Sequence, residues 1–166
     1  MKPTLTVTSD FTDKFNAIIK RFKNDVVLVG IPEEDTQRKD SDTINNATLL
    51  AINNFGSPAQ NIPPRPVMAI GIRNAQEEIG NQYKLAAQQT LKTGLAALDT
   101  YYNRVGIIAS NSIKKAINDQ QGFPGPAEST IYAREHRKPT PFKGTSSLIV
   151  TGQMRNAITY VIGGSK

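Results

Sequence analysis

Phe11, Phe15, Ile18, Ile19 and Phe22 recur at helical spacing within SDFTDKFNAIIKRFK, residues 9–23, and Ser9 or Asp10 stands where a cap is needed. The pattern predicts an amphipathic helix, and residues 1–24 form a candidate peripheral arm to a core of residues 25–166. Lys14, Lys20, Arg21 and Lys23 make up its solvated outer face, with the later ones suited to the negative end of the helix dipole. DVVLVGIP, residues 25–32, is a β-branched run closed by Gly30 and Pro32, which predicts a short buried strand. EEDTQRKDSD, residues 33–42, carries five acids against two bases and predicts an exposed, mobile loop.

Next, TINNATLLAINNFG predicts a short buried helix with Ile44, Ala47, Leu50 and Ala51 on one face, Asp42 or Thr43 as cap and Gly56 as the stop. From Asn74 to Asp119 a helical stripe runs through Ile79, Tyr83, Ala87, Leu91, Leu95, Leu98, Tyr102, Val105, Ile108, Ser112 and Ala116. So long a stretch predicts two helices, broken between Gly94 and Asp99 or at Gly106; Leu98 followed by Asp99 and Thr100 is the preferred break, since either polar residue can cap a new helix. The stripe has few large apolar residues and predicts packing against other subunits. NDQQGFPGPAEST reads as a loop, and LIVTGQMRNAITYVIGGSK as a short or helical turn feeding a C-terminal strand. Together these elements predict one α+β domain over residues 1–166, with a small mixed or antiparallel sheet, about four helices and long loops.

Composition narrows the chemistry. Hydrophobic residues are 38% of the chain and charged ones 20%, a soluble globular balance. The chain has no apolar run of membrane-spanning length, and MKPTLTVTSD lacks a leader's apolar core, so synthesis in the cytosol is expected. Cysteine is absent and His136 is the sole histidine, which excludes disulfides, thiolate zinc sites, cysteine nucleophiles and two-histidine metal sites. A Ser-His-Asp hydrolase would have to use His136, which lies in YAREHRKPTP and reads as a solvated loop residue.

Two features remain as candidate contact sites. Between Glu128 and Arg155, Arg134, Arg137, Lys138, Lys143 and Arg155 face two acids in a stretch read as a loop, with Tyr132 and Phe142 interleaved. Such a segment can follow a phosphate backbone or meet a protein partner. NFGSPAQNIPPRPVMAIGI holds Pro58, Pro63, Pro64 and Pro66 between a helix stop and an apolar segment. Each proline fixes its φ and biases the residue before it, so the segment reads as a stiff strap that gives Arg65 one direction.

Five pieces in order, Gly30-Ile31-Pro32, Asn46-Ala47, Phe55-Gly56, Ile62-Pro63-Pro64-Arg65-Pro66 and Leu148 through Tyr160, resemble the tail-component and tail-completion proteins of tailed bacteriophages. The lambda minor tail protein Z group is similar in the same way. The resemblance runs from about Val26 to Ile162; the chain departs from it at Asn54, Val67, Val150 and Ala157, where family members often carry Glu, Phe, Asp and Ser. It implies a structural virion protein without enzymatic activity or cofactor. Such a protein is made in the host cytoplasm and forms a ring, of six subunits or of twelve, in the neck or upper tail. There it would complete the tail and join it to the head around the DNA channel, touching neighbouring neck, connector and tail proteins and passing DNA without sequence specificity. Closed rings need heterologous contacts. Arg65, Tyr83 and Tyr102 are candidates for the subunit interface, with Arg65 directed to a carboxylate within the subunit or, preferably, to the next one. Arg134, Arg137, Lys138 and Lys143 are candidates for the channel or a partner ring. The alternatives are a head-side connector, adaptor or stopper, a non-specific DNA-binding module suggested by a pI of ≈ 9.6, and a small enzyme with Glu33, Glu34, Asp35, Asp40 and Asp42 as a metal cluster.

Overall fold

A computed structural model describes residues 12–37, 44–120, 122–138, 141–149 and 151–164. Phe11, the caps expected at Ser9, Asp10, Asp42 or Thr43, the second half of the acidic loop, and Val150 lie outside the described residues. The architecture is α+β: among the described residues, six helices accompany one antiparallel pair of strands.

The first helix, α1 (Thr12–Asn24), buries Ile18 and half-buries Phe22, while Phe15 and Ile19 stay exposed. Its apolar stripe is therefore only partly covered. Strand β1 (Asp25–Gly30) follows directly and pairs with β2 (Thr159–Gly164) in the register Asp25↔Gly164 to Gly30↔Thr159. The expected buried strand is half-buried instead. Val27 and Val29 turn inward while Val26 and Leu28 face out, because a strand sends alternate side chains to opposite faces and helices cover only one of them here.

Helix α2 (Asn46–Phe55) is capped by Asn45, whose side chain accepts from the Thr48 amide at 2.7 Å. Asn46 and Leu50 form its buried side rather than Ile44 and Ala51, which are exposed. Buried Asn46 donates from Nδ2 to the carbonyls of Asp35 and Gln37, so a polar residue holds the face that apolar spacing assigned elsewhere. The stop at Gly56 has φ 77°, and a Cβ there would sit 2.8 Å from the Ile62 carbonyl oxygen. Only glycine meets both demands.

Helix α3 (Val67–Thr93) starts seven residues before the Asn74 expected, because the strap ends by launching it. Pro66 occupies its cap position without a side-chain hydrogen bond, and Asn54 Oδ1 accepts from the Met68 amide at 3.2 Å in its place. The break to α4 (Ala96–Asp119) falls at Gly94, whose φ is 94°, not at Leu98-Asp99. Glycine tolerates that backbone, whereas Leu98 is needed inside and Asp99 serves the first turn of α4. The two helices lie antiparallel: Gly71 faces Ile113, and Tyr83 meets Tyr102 edge-on. A Cβ on Gly71 would come within 2.5 Å of the Ile113 Cα, so this glycine sets how closely the helices approach.

Helix α4 runs along two core clusters. One joins Leu50, Val67, Ile113, Ile117, Leu148, Met154 and Ile158; the other joins Ala86, Leu98 and Tyr102, with Phe22, Val27 and Ile162 against it. The stripe read along the sequence is right at Leu98, Tyr102, Val105 and Ala116, but Leu91 is exposed. Facing lines of small residues, including Ala75, Ala86, Thr90 and Ala109, fill the seam instead. Helix α5 (Glu128–Glu135) occupies part of the segment expected to be a loop, and α6 (Gln153–Ala157) is the helical turn that feeds β2.

Candidate functional site

The proline strap, the Gly-Pro loop after α4, and the return from α5 converge on one cavity of about 540 Å³. Gly56 and the Ser57–Ile62 bridge turn the chain, and the strap carries Arg65 inward. The Arg65 amide donates to Asn53 O at 2.8 Å, which ties the strap to α2. Its side chain is only 7% exposed, with Nε donating to Pro124 O at 3.2 Å and Nη2 to Gly125 O at 3.4 Å. Arg65 thus meets main-chain carbonyls of its own subunit. This corrects the expectation of a carboxylate within the subunit: the strap stands over the 124–125 loop, and two main-chain carbonyls take the place of the acid.

Arg134 enters from α5. Its Nη1 donates to Ser146 O at 2.6 Å and its Nη2 to Ser147 O at 3.2 Å, and its guanidinium lies over the Phe142 ring, 5.8 Å from the centroid. The Phe142 amide donates back to Arg134 O at 2.9 Å, so the segment closes on itself. Arg134 is consequently a clasp within the subunit, and its half-buried side chain also lines the cavity. Lys138 and Lys143 are exposed, and Arg137 is half-buried beside them. Arg155 reaches Asn118 Oδ1 at 2.8 Å, away from the others.

Gln120 and Ser147 complete the bracket, and neither stood out in the sequence. Gln120 adopts a left-handed backbone, φ 54°, and its Oε1 accepts from the Ser147 amide at 2.7 Å, while Ser147 Oγ donates to Pro124 O at 3.0 Å. These bonds join positions far apart in the chain, so no local spacing could announce them. Burial lowers the pKa of both arginines from the ordinary value, and the charge of Arg65 lowers that of Arg134 further.

Tyr83 and Tyr102 are placed together, with ring centroids 5.8 Å apart, and Phe22 adds a second edge contact to Tyr102 at 6.2 Å. Tyr102 is 1% exposed and so belongs to the core rather than to a surface open to another subunit. Tyr83 is half-buried at its rim. Burial raises both phenols, Tyr102 to about 12.

His136 ends α5, stacked on exposed Tyr132 with centroids 4.0 Å apart and Nδ1 2.8 Å from Tyr132 O. Glu33, Glu34 and Asp35 form an exposed 3₁₀ turn; Asp40 and Asp42 lie outside the described residues. Among the described residues no group of three or more His, Asp or Glu side chains is arranged to hold a metal, and no helix is long and apolar enough to cross a membrane. Comparison of the chain with protein-family models, with curated proteins and with solved structures found no match.

Proposed function

We propose that this chain is a structural virion protein of a tailed bacteriophage, a subunit of a ring in the neck or upper tail that completes the tail and joins it to the DNA-filled head. The observation that carries the reading is the convergence of the five segments on which the phage resemblance rests. Asn46 holds the carbonyls that follow Gly30-Ile31-Pro32, Gly56 abuts the strap at Ile62 and Pro64, and Arg65 braces the strap on the 124–125 loop. Leu148, Met154 and Ile158 then pack with Leu50 and Val67 in one core. The motifs that carry the resemblance are thus joined in one packed unit, which supports reading them together.

The surface is consistent with assembly. Leu28, Phe55 and Leu91 are 61%, 78% and 56% exposed, and among the described residues the sheet has only two strands, whose outer edges could pair with a neighbour's sheet. Heterologous contacts through such edges and apolar positions close into rings when the rotation permits. With Arg134 internal, Lys138 and Lys143 become the basic side chains to face a channel or an adjoining ring, where weak sequence-independent contact lets DNA slide.

Native mass measurement and electron microscopy of the purified chain, followed by its localisation in virions, test the proposal. The expected result is rings, of six subunits or twelve, at the head-tail junction. A protein that stays monomeric at high concentration and is absent from virions overturns it.

A further inference from the structure

Arg65 and Arg134 reach the same cavity from separate elements, and among the described residues neither has a carboxylate within ion-pair distance. Among the described residues, no Asp or Glu lines the cavity. The carbonyls of Pro124, Gly125, Ser146 and Ser147 orient the two guanidinium groups but leave their charge in place. Arg65 Nη1 and Arg134 Nε make no hydrogen bond to any described residue and remain open to a ligand. Arginine keeps its proton at any ordinary pH, so two recessed cations share one space with no counter-charge. Bringing like charges together out of water is unfavourable unless an anion joins them.

We propose that this cavity is the receptor for a carboxylate carried by an acidic segment of a protein. Its shape separates that ligand from a nucleic acid. A sliding phosphate backbone is served by a row of exposed cations, whereas here Arg65 is nearly fully buried in a recess that sets Ile62, Leu148 and Met154 beside uncharged polar side chains. A recess of about 540 Å³ has room for an acidic side chain and part of its segment, with methylenes against Leu148 and Met154 and a carboxylate oxygen on Arg134. The chain carries a matching group in Glu33, Glu34 and Asp35, consecutive and exposed, with no basic partner among the described residues. A second copy of this chain and a different acidic protein therefore present the same chemistry. The second-copy source rests on the ring reading; the carboxylate receptor does not.

The test titrates the full chain with the peptide Gly-Ile-Pro-Glu-Glu-Asp-Thr, with its Gln-Gln-Asn counterpart, with inorganic phosphate and with a short DNA duplex, following arginine side-chain resonances. The acidic peptide is expected to bind at least about tenfold more tightly than the neutral one, and Arg134→Gln to weaken it by at least about tenfold. Equal binding of the two peptides, saturation by phosphate alone, or a duplex that competes through Arg134 would each overturn the assignment. Should Arg134→Gln fail to fold, the peptide comparison on the unaltered chain still decides. The triple variant Glu33→Gln, Glu34→Gln, Asp35→Asn is expected to lose self-association while still binding added acidic peptide. If it associates like the parent, the second-copy source is wrong. A monomeric parent that binds the acidic peptide leaves the receptor standing while sinking the ring.

Discussion

The ring of Tyr160, on β2, rests directly against Gly106, on α4, and its hydroxyl donates to Asn103 Oδ1 at 2.9 Å. A methyl group at position 106 would overlap the ring, so a glycine slot seats the C-terminal strand on the central helix. Alanine is the better helix former by about 0.8–1 kcal/mol, but overpacking costs typically about 1–3 kcal/mol. Gly106→Ala is therefore expected to lower stability in urea denaturation. Gly80→Ala is the control: it lies within α3 with nothing near its missing Cβ, and it should stabilise by about 0.5–1 kcal/mol. A stabilised Gly106→Ala would show that β2 is not seated this way.

Tyr102 gives the fold an alkaline limit. Burial first, then the nearby charge of Asp25, raises its phenol to about 12, against about 10 for an unfolded chain. The folded form thus holds a proton that the unfolded form releases, so stability is intact below pH 10 and falls as pH rises towards 12. The loss should approach about 2–3 kcal/mol. Absorbance titration should find a late-ionising tyrosine, and Tyr102→Phe should remove both that late step and much of the alkaline fall in stability. An unchanged pH profile in Tyr102→Phe would contradict the assignment.

Arg21 links three elements. Its Nε donates to Asp25 Oδ2 at 2.6 Å and its Nη2 to Asp99 Oδ1 at 2.7 Å, tying α1 to the start of β1 and to the first turn of α4. Hydrogen bonds to Asp99 and then Asp25 raise the pKa of Arg21, so the charge is held in place. The pairs are partly exposed, which limits the contribution to about 1 kcal/mol and makes it salt-sensitive. Arg21→Met should accelerate amide exchange in residues 12–24 more than in α4. Uniform exchange rates across the two helices would show that α1 is held by its apolar side alone.

Thr90 is fully buried in the α3 seam, and among the described residues its Oγ1 has no hydrogen-bond partner. A buried hydroxyl left unpaired costs about 1–3 kcal/mol. Thr90→Val keeps the shape and removes that cost, so a rise in denaturation midpoint equivalent to about 1 kcal/mol is expected. A destabilised variant would reveal that the hydroxyl has a partner.

Of the elements, the helix of residues 12–24, both strands, the stop at Gly56 and the turn before β2 were legible, since each is announced by local period or by a breaker residue. The start of α3 was not, because the prolines before Val67 suggest extended chain while the helix depends on Asn54 for its cap. Helix α5 was hidden by a charged composition whose apolar face is slight; what holds it is Arg134 bonded to the 146–147 carbonyls. At the candidate site, the stiffness of the strap could be read from Pro63, Pro64 and Pro66, but the direction of Arg65 could not.

By itself the sequence determined the α+β class, the stop at Gly56, the lack of cysteine chemistry, and which residues carry charge. These follow from backbone sterics and composition, which act over a few residues. The tertiary structure alone decided that Arg65 and Arg134 meet, that Tyr102 is core, and that Gly106 yields its space to Tyr160. Each depends on chain segments that are distant in sequence being brought together by burial of the α4 core, and no local pattern contains that information.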